Sequence, residues 1–213
     1  MLRVVRWGAQ FGCAVAPLNR ILCWRGSCRR QAVAITFDDG PRGDATLRIV
    51  EILATFHARA TFFVEGHRVR KHPTIVSAIL TAGHEIGNHG YEHGTGTGLP
   101  EQIRRGAQAL EEQGVRTRLF RPPLGKLTVG GLLYAVAHGY RTVLWSFDGH
   151  DSMRHEGKWT GAPPDYSTVV PGDIVLLHDD NPLCLEELPQ LLAIIRAKKL
   201  RAVTVSELLG WSR

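Results

Sequence analysis

Val33-Ala34-Ile35-Thr36-Phe37-Asp38-Asp39-Gly40-Pro41 decides how the rest of the chain is read. An apolar, β-prone run breaks off in two adjacent carboxylates, a glycine and a proline. That pattern predicts a buried parallel strand carrying Asp38 and Asp39 to its C-terminal end. In α/β barrels and open α/β sheets, that end is where chemistry sits. Two neighbouring carboxylates repel, so the pair is costly unless a cation or a shared proton lies between them. Taken alone, the stretch reads equally well as an Asp-Gly turn after a strand.

Working outward from this strand, residues 31 onward alternate. Strands are expected at 32–37, 60–64, 85–88, 118–120, 141–146, 173–177 and 201–205. Helical spacing falls between them at 45–57, 73–82, 100–113, 129–138 and 185–199, several of these stopping at a glycine. Such alternation argues for one α/β domain built on a parallel sheet or barrel, and 213 residues suit a single domain of this kind. Residues 149–171 form the one long irregular stretch, of a length that is often functional. Residues 1–30 stand apart as a leader or edge segment. Their start is basic, and Ala14-Val15-Ala16 resembles a small-x-small cleavage site, but Gln10 and Pro17 interrupt the pattern. Localisation is left between cytoplasm and cell envelope. No run is long enough to span a membrane as a helix.

The net charge is +6 and the sequence pI about 9.5. The basic residues are scattered, and no aromatic-and-basic module of a nucleic-acid binder is present. Cys13, Cys23, Cys28 and Cys184 lack the paired C-x-x-C spacing of a structural zinc site. Cys23 and Cys28 are near enough in sequence to pair, although buried thiols fit as well.

The chemistry gathers at strand ends. After the third strand comes His89-Gly90-Tyr91-Glu92-His93, with histidines at i and i+4, expected to share one helix face. One carboxylate with two histidines makes a metal site with open positions; zinc is the default, with cobalt, nickel or iron as substitutes. Arg121, fixed by Pro122 and Pro123, is suited to a bidentate hold on a carboxylate. Asp148-Gly149-His150-Asp151 follows Trp145 on the fifth strand, and the sixth ends in His178. A single strand-end histidine means little; five polar clusters at five strand ends are harder to dismiss.

Taken in order, the stretches at 36–41 (TFDDGP), 89–93 (HGYEH), 121–125 (RPPLG), 148–151 (DGHD) and 175–178 (VLLH) resemble the motifs of the NodB-homology polysaccharide deacetylases, carbohydrate esterase family four. The likeness covers about residues 31 to 210. It implies a distorted (β/α) barrel with about seven parallel strands, and removal of N-acetyl groups from an amino-sugar polymer or oligosaccharide with release of acetate. It implies that Asp39, His89 and His93 bind the metal, that Asp38 is the general base oriented by Arg121, and that His178 is the general acid tuned by Asp151. The backbone N–H of Leu124 would hold the oxyanion. Leu177 would line the acetyl pocket, and Trp145 would border the substrate. The expected partner is thus an acetylated carbohydrate, with no nucleic acid and no stable membrane insertion.

Three positions depart from the family pattern. Gly90 stands where Ser or Thr is usual, removing a hydroxyl that braces the loop between the histidines. Leu124 replaces an aromatic residue, and Ser152 a Trp. The last two remove groove walls, which bears on the substrate more than on the chemistry. An O-acetyl esterase, an inactive glycan-binding relative and a hydrolase of small-molecule C–N bonds remain the rival readings.

Overall fold

A computed structural model describes residues 21–93 and 96–211. The Ala14-Val15-Ala16 triplet, Cys13 and most of the span read as a leader lie outside the described residues. Among the described residues, nine strands form one curled sheet whose ladder partners are all parallel: β1 Leu22–Cys23, β2 Ala32–Gly40, β3 Thr61–Val64, β4 Glu85–Asn88, β5 Leu119–Phe120, β6 Arg141–Val143, β7 Phe147–Asp148, β8 Ile174–His178 and β9 Arg201–Val203. The spatial order is β1-β6-β5-β4-β3-β2-β8-β7, with β9 also pairing β2. The described residues also hold eight α-helices: α1 Asp44–Thr55, α2 Gly66–Lys71, α3 Pro73–Thr81, α4 Leu99–Glu111, α5 Val129–Ala137, α6 Asp151–His155, α7 Pro182–Ala197 and α8 Val205–Leu209. This is the distorted barrel that the motifs imply, left partly open.

Strand β2 organises the sheet because its two faces serve two layers. Successive side chains of a strand point to opposite faces. Val33, Ile35 and Phe37 pack outward with Ile49 and Leu53 of α1 and with Leu188 and Leu191 of α7. Ala32 and Ala34 face into the curl with Phe63, Val143 and Ile174. Thr36 and Asp38 share that inward register, and both are buried.

Beyond Asp38 the alternation breaks. The β2–β3 register shifts between Asp38 and Gly40, and Asp39 has φ 71. A bulge re-aims a side chain, and Asp tolerates the left-handed region better than most residues. Adjacent carboxylates that a regular strand would send to opposite faces are thereby both turned to one cleft.

Several expected boundaries moved. The strand expected at 141–146 stops at Val143, because the Val143 and Leu144 carbonyls are taken by the Arg121 guanidinium. The chain resumes as β7, which pairs with β8 instead. The strand expected at 201–205 yields to α8 after Val203, where Thr204 caps the helix by accepting from Glu207 N. Helices α2, α6 and α8 have five or six residues each, too few for a helical period to register. Strand β1 is an edge strand on β6. Cys23 is buried and its thiol donates to Arg25 O, so no disulfide joins it to Cys28. The irregular stretch is pinned to α7 through Glu187, which accepts from Tyr166 Oη at 2.8 Å and pairs with Arg154 at 2.7 Å.

Gly87 in β4 is required by close approach: a Cβ there would lie 2.4 Å from Cδ1 of Phe63. Phe63 belongs to the inner core, so the ring has no space to yield. Gly87→Ala is therefore expected to cost about 1–3 kcal/mol of stability by overpacking. Urea unfolding measures it, and an unchanged midpoint would contradict the contact.

Candidate active site

The C-terminal ends of the strands converge on one cleft. Asp38 and His178 are register partners on β2 and β8. The end of β2 adds Asp39, and the segment after β4 adds His89 and His93. Arg121 follows β5, and Asp151 opens α6 after β7.

Arg121 is the largest fully buried side chain in the protein's described part, with no solvent exposure. One Nη donates to Asp38 Oδ1 at 2.7 Å and to Thr36 Oγ1 at 2.8 Å. The other Nη donates to Leu144 O, and Nε to Val143 O, both at 3.1 Å. The Phe63 ring lies 4.1 Å from the guanidinium carbon. The expected bidentate hold is thus corrected: Arg121 gives Asp38 a single bond and spends its other donors on backbone carbonyls. Burial pulls the guanidinium pKa down, against the opposing pull of Asp38.

Asp39, His89 and His93 offer ligand atoms that all lie within 4.8 Å of one another. Nε2 of His89 and of His93 lie 3.3 and 3.2 Å from Asp39 Oδ1. Two atoms each bonded to a zinc ion at roughly 2.0–2.2 Å, at a tetrahedral angle, lie about 3.4 Å apart. Asp39 Oδ1 and His93 Nε2 are buried yet have no hydrogen-bond partner among the described residues. His89 Nδ1 meets Arg121 O at 2.8 Å, which makes that nitrogen the donor and leaves the Nε2 lone pair for a cation. This donor set fits a divalent metal. Burial raises the Asp39 carboxyl pKa, but the two imidazoles outweigh it and hold the group below the usual carboxylate range. Burial pushes His93 down, toward the neutral form that ligates.

His178 and Asp151 form a second pair. His178 Nδ1 lies 2.9 Å from Asp151 Oδ1, and Asp151 Oδ2 accepts from the His178 backbone N and from Asn181 Nδ2. Asp151 has no solvent exposure. Burial opposes charge on His178, but the Asp151 carboxylate raises its pKa to about 10.

Two expectations about the site change. His89 and His93 do not lie on a helix: the residues between them form a loop, with Gly90 at φ 86. Their rings still meet, with centroids 5.0 Å apart. Leu177, expected to line the acetyl pocket, belongs to the outer core with Phe37, Phe147 and Tyr166. Strand alternation gives Leu176 the face shared with His178. Leu124 is 68% exposed, at φ 56 in the turn Pro123–Gly125. Trp145 packs against Gly125 and donates Nε1 to Asp148 Oδ2 at 3.1 Å. Sequence reading passed over Glu65 and Gln102, which hold the histidine loop. Glu65 directly follows β3, a strand-end position that would have flagged it; Gln102, on α4, carried no signal.

Carboxylates, imidazoles and a buried guanidinium at the carboxyl ends of a curled parallel sheet define the class: an α/β protein with its polar site at the strand ends. The chain belongs to the polysaccharide deacetylase family, carbohydrate esterase family four, whose family pattern matches residues 25–143. It is 35% identical over 204 residues to a peptidoglycan-N-acetylglucosamine deacetylase of Bacillus cereus, covering 88% of this chain and 92% of that one. Among solved structures, the Bc1960 peptidoglycan N-acetylglucosamine deacetylase superposes with a TM-score of 0.79 at 26% identity, covering 91% of this chain and 94% of the other. The fold is also that of a Bacillus anthracis protein described as a pseudoenzyme of the same family, with a TM-score of 0.77 at 24% identity over 89% of this chain and 69% of that one. Fold alone therefore leaves activity to be argued from the site.

Removing one partner of a buried ion pair leaves the other charge uncompensated. Arg121→Met is expected to cost about 3–5 kcal/mol. Arg121→Lys should recover less than half of that, because one ammonium cannot serve a carboxylate and two carbonyls in the guanidinium's fork geometry. Chemical unfolding reads both variants, and a Met variant within about 1 kcal/mol of wild type would show that the pair does not organise the interior.

Proposed function

We propose that this protein is a metal-dependent hydrolase that removes N-acetyl groups from the amino sugars of a peptidoglycan-type glycan, releasing acetate. The observation that carries this reading is the division of labour between adjacent aspartates. Asp38 is bonded to Arg121, whereas Asp39 faces two histidines with its Oδ1 unsatisfied. The names of the relatives support the substrate class.

Asp39, His89 and His93 would hold the divalent ion, for which zinc is the first choice. Bound there, it supplies Lewis-acid polarisation of the acetyl carbonyl. Asp38, aimed by Arg121, takes the proton of the attacking water. The Leu124 backbone N–H donates to the developing oxyanion. His178 then delivers its Nε2 proton to the departing amine, which leaves poorly as an anion. Asp151 holds Nδ1, so the transferable proton is on the nitrogen turned to the cleft. Trp145 and Leu124 border the sugar, and the acetyl wall expected from Leu177 is assigned to Leu176.

Acetate release from N-acetylated peptidoglycan fragments by zinc-loaded protein is the direct test; full zinc occupancy without acetate would overturn the activity. Asp38→Asn should keep zinc and lose at least about 100-fold in turnover, the scale of general-base catalysis. Asp39→Asn should lose zinc affinity first. Equal metal loss in the two variants, read by elemental analysis, would mean that Asp38 is a ligand as well.

The activity should fall at high pH as His178 loses its proton. With the pKa raised to about 10, the imidazolium persists well above the range of an ordinary histidine. Asp151→Asn removes the anion that raises it, so the upper limb of the pH profile should move down by at least about one unit. An upper limb that stays in place in this variant would remove His178 as its cause.

A further inference from the structure

The loop that carries His93 lacks the hydroxyl usual at position 90, yet consecutive backbone groups in it are bonded to other elements. Tyr91 N and Glu92 N both donate to Gln102 Oε1, at 2.8 and 2.9 Å, and His93 N donates to Glu65 Oε1 at 3.0 Å. Three consecutive backbone donors are thus taken by two buried side chains, 5% and 3% exposed. On the acceptor side, Gly90 O and Tyr91 O receive Gly66 N and His67 N from the start of α2, at 2.9 and 3.0 Å.

Both braces are themselves fixed. Glu65 Oε2 is held by Arg68 Nε at 2.6 Å. Gln102 Nε2 donates to Thr97 Oγ1. Gln102 sits on α4, which touches the loop so closely that a Cβ on Gly106 would lie 2.6 Å from Gly90 O. Gly90 sits at φ 86, where a side chain would strain the backbone, and a Cβ there would lie in ordinary contact, 3.4 Å, from Gln102 Oε1, so the amide occupies the space beside position 90.

We propose that Gln102 and Glu65 are positioning residues that hold His93 in ligating geometry, with the Gln102 amide taking over the bracing that a side chain at position 90 would otherwise provide. The proposal rests on the reading of Asp39, His89 and His93 as a metal site. Gln102 is not among the candidate ligands; it acts by keeping the loop ordered beforehand, so that cation binding does not have to order it.

Zinc affinity of the metal-stripped full chain, titrated against a chromogenic chelator, tests this. Gln102→Ala should weaken zinc binding about 10- to 100-fold, the usual effect of losing a partner behind a ligand. Gln102→Glu keeps oxygen acceptors at the same reach and should stay within about threefold of wild type on that same scale. A residue that only supports the fold would lower the unfolding midpoint and leave the folded protein's zinc affinity unchanged. Hydrogen exchange on metal-free wild type reads the brace independently of whether the variants fold: the amides of Tyr91, Glu92 and His93 should be protected. Gln102→Ala with wild-type zinc affinity, or unprotected exchange at those amides, would overturn the proposal. Acetate release is not read here, so an inactive but zinc-binding protein would count against the proposed function and leave the brace standing.

Discussion

A guanidinium shut away from water must have every donor satisfied, and Arg121 meets that demand by drawing three strands together. Its bonds reach Thr36 and Asp38 on β2 and the carbonyls of Val143 and Leu144 at the end of β6, while its own backbone continues β5. The backbone carbonyl of the same residue fixes the His89 tautomer. One residue therefore sets the carboxylate proposed as base, orients a proposed ligand and ends a strand. Desolvation makes such a buried charge expensive, so the geometry is retained only if all of its partners stay in place.

The two aspartates owe their different environments to this constraint. Asp38, claimed by Arg121, is held to the inner face of the sheet. Asp39 is freed from strand alternation by the bulge and turns to the histidines. Adjacent carboxylates repel; here Asp38 is compensated by a built-in cation, and Asp39 is the one proposed to take an exchangeable ion. The His178–Asp151 pair repeats the principle with the sign reversed, the buried anion favouring a protonated imidazole on the strand next to Asp38.

What the sequence made legible was local. An apolar run ending in Asp-Asp-Gly-Pro announces a strand and its functional end, and the polar clusters after later strands place Arg121, Asp151 and His178 at the same rim. What it hid depends on distant contacts. The histidine spacing suggested a helix, but Gln102, Glu65 and the start of α2 capture the loop's backbone groups and hold it in another shape. Leu177 and Leu176 are equivalent in composition, and only the strand register separates them by face. The strand expected through Ser146 ends early because a side chain far along the chain competes for its carbonyls. Glu65 sat in plain view after β3 but belonged to no motif.

The central claim is that Arg121 divides the two aspartates into one held by a cation and one that ligates a metal. A crystal structure of the zinc-loaded protein, with anomalous data collected at the zinc edge, tests it most directly. The account predicts one strong anomalous peak bonded to Asp39, His89 and His93, with Asp38 still on Arg121. A peak elsewhere, or an Asp38 that has left the guanidinium to join the ligand set, would contradict it.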